Sequence, residues 1–354
     1  MPNNKPTSPA YVGFGMLTPA TIMVIDKLPR RNTGAIATDV NEFVFDDAAI
    51  IAGVLRQWNI SAGMIGTAVG NDPRGHALEN QLKKLGVQGK VRYTKKYKTP
   101  LEVDVSDKSG ARTYFWQRSP EILSTLDAAN LSLLKGARLL YVDWYDGDHI
   151  LRAMQEANRL NIPVFLNLEH GHKDREVLGK YASCATICQA VTDAAQIGKS
   201  QAMLSVAKKL FKSGIKTAII TMASQGCLAV QGSEIIRVYA PKVKAVDGCG
   251  AGATFSAGYI YGYLKDWNLE DSIRFAIAAA SLKVTHAGLT MSPVKQIKAL
   301  ADTLRVERML YKDDQFFMIE KLIPFPEHEL VKKGRNLAQK LMPKKKQSAR
   351  RKIA

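Results

Sequence analysis

The chain has 354 residues, of which 46% are hydrophobic and 23% charged, a composition that excludes an intrinsically disordered protein and suits one large α/β domain or two small ones. No apolar run reaches the roughly 18–20 residues needed to span a bilayer, and the opening MPNNKPTSP has no signal-peptide pattern. The net charge of +18 is uneven: residues 331–354 hold ten Lys/Arg and no acid, leaving +8 for the rest.

Residues 10–25, AYVGFGMLTPATIMVI, read as a buried strand, a turn and a second strand, and 31–44 as a short extended excursion. Ala48, Ile51, Leu55 and Trp58 are spaced for a helix from Asp46 to Trp58. AGMIGTAVG (62–70) predicts one short strand, GNDPRG a turn, and HALENQLKKLG (76–86) an amphipathic helix stopped by Gly86. Between 90 and 118, VRYTKKY, LEVDVSD and ARTYFWQ alternate as antiparallel strands with a turn at Ser109-Gly110. From residue 137 the pattern changes. Strands 137–144, 162–169 and 216–223 alternate with helices DHILRAMQEANRLN and SQAMLSVAKKLFKSG, which indicates parallel βαβ units. GCLAVQG and IIRVYAP read as a hairpin, and 253–264 and LEDSIRFAIAAASLKVTHAG as helices. The β-rich pieces at 31–44 and 90–118 suit a small sheet over one edge of the main domain.

The stretch VDGCGAGATFSAG (246–258) carries the chemistry. A turn of Gly250, Ala251 and Gly252 at a helix start offers unpaired N–H groups at the positive end of the helix dipole, an anion cradle. Taken alone, Gly-Ala-Gly is equally a device for tight helix packing. Other clusters have simpler readings. Glu169, His170, His172 and Asp174 are conceivable metal ligands, but a loop after a strand explains them. Cys184 and Cys188 lack two partners for zinc. The four cysteines fall short of a disulfide framework, so a reducing, cytoplasmic setting is expected. Asp46 and Asp47 are helix caps, or else they face a ligand and select a cationic or amine-bearing one. The aromatic-rich YFWQR (114–118) packs a lid, a subunit contact or a ligand.

APKVKAVDGCGAGATFSAGYIYGYL, followed by LEDSIRFAIAAASLKVTHAG, resembles the C-terminal signature of the ribokinase, or PfkB, family of carbohydrate and nucleoside kinases, Asp-Thr-x-Gly-Ala-Gly-Asp-x-Phe-x-Ala-Gly. Asp247, Gly250, Ala251, Gly252, Phe255, Ala257 and Gly258 match it, and MIGTAVGNDPRGHALENQLKKLGV resembles the family's Gly-x-x-Gly-x-Asp-x-x-Gly segment. The resemblance covers about residues 10–305. It implies an α/β ribokinase-like fold, a central, mostly parallel sheet between helices with a small β lid (segments 31–44 and 90–118), followed by an extension, 306–354, ending in the basic tail. It also implies phosphoryl transfer from ATP, with magnesium, to a hydroxymethyl group, Gly250–Gly252 forming the anion hole and Thr221, Gly226 and Asp247 lying on the nucleotide side.

The signature's last Asp, which takes the hydroxyl proton, is Ala253 here, so no catalytic residue is assigned. A positioned general base contributes roughly 10²–10⁴ in rate. Counting from Gly15, the family's sugar-binding Asp falls at Ala20, its Gly-Gly pair near Phe45-Asp46 and its following Asn near Ile50. Ala20, Asp46 and Asp47 therefore mark the substrate pocket. The family's Asn-x-x-Glu reads Gln189 to Thr192, Ala223 replaces a Gly, and Asn167 stands where an acid is expected. The expectation is a kinase-fold protein with lost or much reduced phosphotransferase activity, in a binding or scaffold role. The alternative is an active sugar or nucleoside kinase with an unusual acceptor, in which Asp46, Asp47 or Asp247 replaces the base. Expected partners are a sugar or nucleotide, nucleic acid or an acidic partner through the tail, and a second copy through the lid.

Overall fold

The computed structural model describes residues 8–108, 112–192, 200–312 and 316–317. The turn expected at Ser109-Gly110 and the basic tail lie outside the described residues. In chain order the elements are β1 (Tyr11–Gly15), β2 (Thr18–Ile25), β3 (Ala37–Phe45), α1 (Asp47–Gln57), β4 (Ala62–Gly66), β5 (Ala68–Gly70), α2 (Pro73–Leu85), β6 (Arg92–Thr94), β7 (Leu101–Ser106) and β8 (Arg112–Gln117). There follow β9 (Leu139–Asp143), α3 (Leu151–Arg159), β10 (Val164–Glu169), α4 (Arg175–Ala182), β11 (Ile187–Val191), α5 (Ser200–Lys212) and β12 (Thr217–Thr221). The last are β13 (Cys227–Gln231), β14 (Glu234–Val238), α6 (Ala251–Leu264), α7 (Leu269–Lys283), α8 (Val294–Ala301) and β15 (Val306–Leu310).

A nine-stranded sheet runs β15-β14-β13-β12-β11-β10-β9-β1-β4. The strands from β12 to β4 are parallel and the other edge is antiparallel. The parallel strands are largely apolar because helices cover both faces of such a sheet, with Asp143, Asn167, Glu169 and Gln189 toward their carboxyl ends as exceptions. From β1 the chain goes first to β4 on one side and then, through β9, to the other. The carboxyl ends of β1 and β9 therefore flank the point where strand order reverses, the place where open α/β sheets bind ligands. Helix α6 is buried along most of its length, and Gly258 and Gly262 bring α7 against it. A Cβ at Gly258 would lie 2.6 Å from Ala276 Cα, and one at Gly262 2.5 Å from Ser272 Oγ.

A second sheet, β3-β2-β7-β8, is built from the segments outside the βαβ alternation. Its pleat puts Ala20, Glu102 and Trp116 in one cross-strand row, Ile22, Asp104 and Tyr114 in the next, and Val24, Ser106 and Arg112 in a third. Ser106 Oγ donates to Asp247 Oδ1 at 2.9 Å, so this row face looks onto the start of α6.

Several elements depart from the sequence reading. The strand expected over 62–70 is two strands in different sheets: Thr67 breaks it, Leu17 N–H donates to Thr67 Oγ1, and β5 leaves to pair with β6. The segment 90–118 is accordingly not one antiparallel unit, since β6 joins β5 and β7 runs parallel to β2. Helix α2 begins at Pro73, inside the expected turn, because Asp72 caps it by accepting from Gly75 N–H. Cys188 lies within β11 and Cys184 precedes that strand, so the two never share a helical face.

Candidate active site

The turn before α6 places Gly250 in the left-handed region, φ 70°, which glycine adopts without steric penalty. No side chain caps the helix, and a Cβ at exposed Gly252 would meet nothing within 4 Å. Ala251 N–H donates to Gly248 O at 3.3 Å and Thr254 N–H to Gly250 O at 2.8 Å, so the approach for an anion is at exposed Gly252 and the residue after it. Ala251 opens the helix half-buried, and Ala253 is 1% exposed, its methyl packed into the core.

Asp247, just upstream, is fully engaged. Its Oδ1 accepts from Ser106 Oγ and Cys249 N–H, both at 2.9 Å, and its Oδ2 from Lys283 Nζ at 2.7 Å and Gly288 N–H at 3.3 Å. Both partners of this ion pair are 0% exposed. Such an acid anchors the turn to α7 and to the second sheet; it has no open lone pair for a nucleotide or a hydroxyl proton.

Across the cleft, at the start of α1, the situation reverses. Asp46 has φ 79°, a left-handed value that strains a residue with a Cβ. The left-handed conformation that a Gly-Gly pair would supply without strain is found at Asp46, the second residue of the expected Phe45-Asp46 position. Asp46 caps α1 by accepting from Asp47 N–H at 2.9 Å. Ile50, in the next turn, is apolar and buried. Ala20 lies buried in the row of Glu102, so a methyl occupies the floor beside a carboxylate.

Asp143 ends β9 and pairs in register with Asn167 of β10. Asn167 is buried, and its Nδ2 donates to Asp143 Oδ2 at 2.8 Å and to Asp47 Oδ2 and Glu169 Oε1 at 3.3 Å, while its Oδ1 has no partner. Where an acid was expected, this amide ties three acids together. Asp146 Oδ2 accepts from Met16 N–H at 3.2 Å. Burial pushes Asp46 up to about 6, with the Arg118 charge opposing. Burial and the neighbouring charges of Glu169 and Asp46 push Asp47 up to about 8. Burial raises Glu102 to about 7 and raises Asp104. Asp143 and Asp146 are raised well above the usual range by burial and by their acidic neighbours.

Asp143, Asp146, Glu102 and Asp104 escaped the sequence reading. An acid at the carboxyl end of a parallel strand was a usable signal for Asp143. The period-two spacing of Glu102 and Asp104 was one for the other sheet.

The remaining expected residues lie on or beside other strands of the main sheet. Thr221 ends β12 with its hydroxyl on Ala190 O at 3.4 Å. Gly226 (φ 88°) abuts β14, where a Cβ would sit 2.1 Å from Val238 O. Gln189 Oε1 accepts from Ser256 Oγ at 2.9 Å, inside the core. The cluster after β10 is dispersed: Asp174 caps α4, buried His172 bonds Val191 O, and Glu169 joins the acids. Among the described residues no three of His, Cys, Asp or Glu converge to hold a metal ion. A cavity of about 470 Å³, lined by Arg138, Tyr259, Tyr263 and Trp267, opens at the opposite, amino-terminal edge of the strands and touches none of these residues.

The family model described as pfkB family carbohydrate kinase matches residues 47–296. The ATP-dependent 6-phosphofructokinase of Thermoanaerobacterium thermosaccharolyticum is 23% identical over 68% of this chain and 79% of its own length. A 1-phosphofructokinase of Borreliella burgdorferi is 29% identical over 32% of this chain and only 36% of its own, so the likeness there is about a third of the relative. Among solved structures, Arabidopsis thaliana ribokinase complexed with ribose and ATP superposes with a TM-score of 0.65 at 19% identity, covering 83% of this chain and 99% of that one. Burkholderia thailandensis nucleoside kinase in complex with inosine gives 0.67 at 17% identity, covering 83% and 97%. These structures share the α/β ribokinase-like fold.

Proposed function

The chain belongs to the pfkB family of carbohydrate kinases, and on that premise we propose that its phosphotransferase activity is lost or greatly reduced, leaving a sugar- or nucleotide-binding role. The observation that carries this reading is Ala253: a buried methyl stands at the head of α6, where the signature has its proton acceptor. The open first turn of α6 fits a phosphate, so ATP remains a reasonable occupant, held by N–H groups of Gly252 and its neighbours. When bound, ATP supplies the transferable phosphoryl group, and this chain's part is then to orient it. Asp247 does not replace the missing base, because Lys283 and three other donors saturate it.

One observation favours the alternative of an active kinase. Asp104 lies beside the thiol of Cys249, in the turn itself, and neither of its oxygens meets a hydrogen-bond partner of good geometry. A raised carboxylate there is suited to accept a proton. The test is phosphoryl transfer from ATP across a panel of sugars and nucleosides, for the natural chain and for Ala253→Asp. Turnover only after the substitution, a gain of roughly 10²–10⁴, supports lost catalysis. Robust turnover by the natural chain that Asp104→Asn abolishes supports the alternative.

The exposed Val40 and Phe115 of the second sheet support pairing with a second copy, and the basic 331–354 segment supports contact with a polyanion. The four free cysteines suit a reducing, cytoplasmic setting, and among the described residues no helix is long and apolar enough to cross a membrane.

A further inference from the structure

We propose that the cleft between α1 and the second sheet binds a hydroxylated ligand carrying an organic cation, a primary ammonium or a guanidinium, through Asp46, Asp47, Glu102, Asp143 and Glu169. The proposal rests on reading this cleft as the acceptor site of the kinase fold, and it names the substrate class of that site.

The first argument is charge. Seven carboxylates are linked in one chain of like-charge contacts: Asp46 with Asp47, Glu102, Asp143 and Asp146, Asp47 with Asp143 and Glu169, and Glu102 with Asp104. Among the described residues, the cations acting on them are Arg112 and Arg118 at the exposed rim and, on Asp104, Lys283, which is already paired with Asp247. Neither arginine forms an ion pair with these acids; Arg112 Nη1 donates to Gly248 O at 3.3 Å, and Arg118 Nη1 lies 3.5 Å from Met16 Sδ. Buried charges are ordinarily paired, as Asp247 is.

The second argument is hydrogen bonding. Asp104 is buried in the row facing the cleft, with both oxygens lacking a partner of good geometry. Asn167, also buried and already bonded to the acids, has an orphan Oδ1. With its acids ionised, the site is thus rich in acceptors and short of donors. An ammonium brings three N–H donors and a guanidinium five. At the rim Arg118 lies over the Trp116 ring at 5.8 Å and Arg112 over the Tyr114 ring at 5.1 Å, and Tyr145, 60% exposed, adds an aromatic face beside Asp47, Asp143 and Glu169. Aromatic faces over an acidic floor are the chemistry that holds organic cations. A bare metal ion is not favoured, because no three of these acids converge on one point.

Cation binding here is linked to proton release. Glu102, raised to about 7, and Asp47, raised to about 8, hold protons near neutrality that an entering cation expels. The groups facing Asp47 are Asp46 beside it, Arg112 of β8, Tyr141 and Asp143 of β9, Tyr145 just after β9, Asn167 and Glu169 of β10 and Tyr11 of β1. Those facing Glu102 are Asp46, Asp104, Trp116 and Arg118. Affinity therefore rises with pH, by up to about tenfold per unit for each proton displaced.

The experiment is calorimetric titration of the full chain, without ATP, using matched pairs: serinol against glycerol, and glucosamine against glucose. The expected result is an amine preference of at least about tenfold, with protons released to the buffer and serinol affinity rising between about pH 5 and pH 7. Asp47→Asn and Glu102→Gln, on separate elements, each remove the preference while the far-ultraviolet spectrum is unchanged. Equal binding of amine and neutral partner, binding of neither, or displacement of serinol by magnesium or calcium chloride at equal concentration overturns the proposal. ATP binding is measured separately by thermal shift. A chain that prefers amines but ignores ATP defeats the nucleotide reading alone; one that binds ATP without amine preference defeats this proposal alone.

Discussion

Asp247 and Asp47 both stand at the head of a buried helix, and they differ in what surrounds them. Asp247 precedes α6 with a lysine, a hydroxyl and two backbone N–H groups on its oxygens. Asp47 opens α1 against Asp46, Asp143 and Glu169, with one amide at 3.3 Å and partial relief from the Tyr141 hydroxyl and the Arg112 charge. The first arrangement is what folding demands of a buried charge. The second lowers stability, and Asp46 adds backbone strain to it. Local rules broken together at one place, and only partly eased by Arg112, Arg118, Tyr141 and Asn167, are what the proposed ligand site would account for.

The contrast can be broken from either side. The largest effect is expected at the satisfied acid. Lys283→Met leaves Asp247 buried and unpaired, and should cost about 3–5 kcal/mol, read as a fall in the urea midpoint. A cost below about 1 kcal/mol would place Asp247 in the same class as the cleft acids. Ser106→Ala removes the hydroxyl that ties the second sheet to the α6 turn. The expected cost is about 1.5–3 kcal/mol, since the acceptor is a buried carboxylate. Hydrogen exchange should speed up in β7 and β8 before the main sheet responds. The smallest effect has the opposite sign. Asp46→Gly relieves the left-handed strain and loses only a few tenths of a kcal/mol as a cap, so a net gain of about 0.5–1 kcal/mol is expected by the same denaturation.

The α6 side was legible in the sequence and the α1 side largely was not. Gly250, Ala251, Gly252 and Ala253 form a contiguous string, and a turn entering a helix is local chemistry. The parallel strands declared themselves by apolar runs alternating with helices. The acidic cleft, by contrast, is assembled by topology. Asp143 comes from β9 and Glu102 from β7, which the second sheet folds over α1; the tie from Ser106 to Asp247 joins residues 141 apart. No spacing rule reaches so far. Nor does sequence show that φ is positive at Asp46, because no residue type there announces it. Asn167 looked like a lost acid because its three carboxylate partners were invisible.

The most direct test is the pH dependence of unfolding. A carboxyl raised in the folded state keeps its proton while the unfolded chain gives it up. Stability therefore falls as pH rises from the unfolded value of about 4 through the folded value, about 6 for Asp46 and about 8 for Asp47. His172, lowered by burial, acts in the opposite direction below its unfolded value, equally in both chains to be compared. Urea unfolding of the natural chain should thus lose stability between about pH 5 and pH 8 relative to the Asp46→Asn, Asp47→Asn double variant, which should be the more stable of the two at pH 8. Parallel profiles, or a natural chain that gains on the variant as pH rises, would show that the cleft acids are as fully satisfied as Asp247 and would contradict the account.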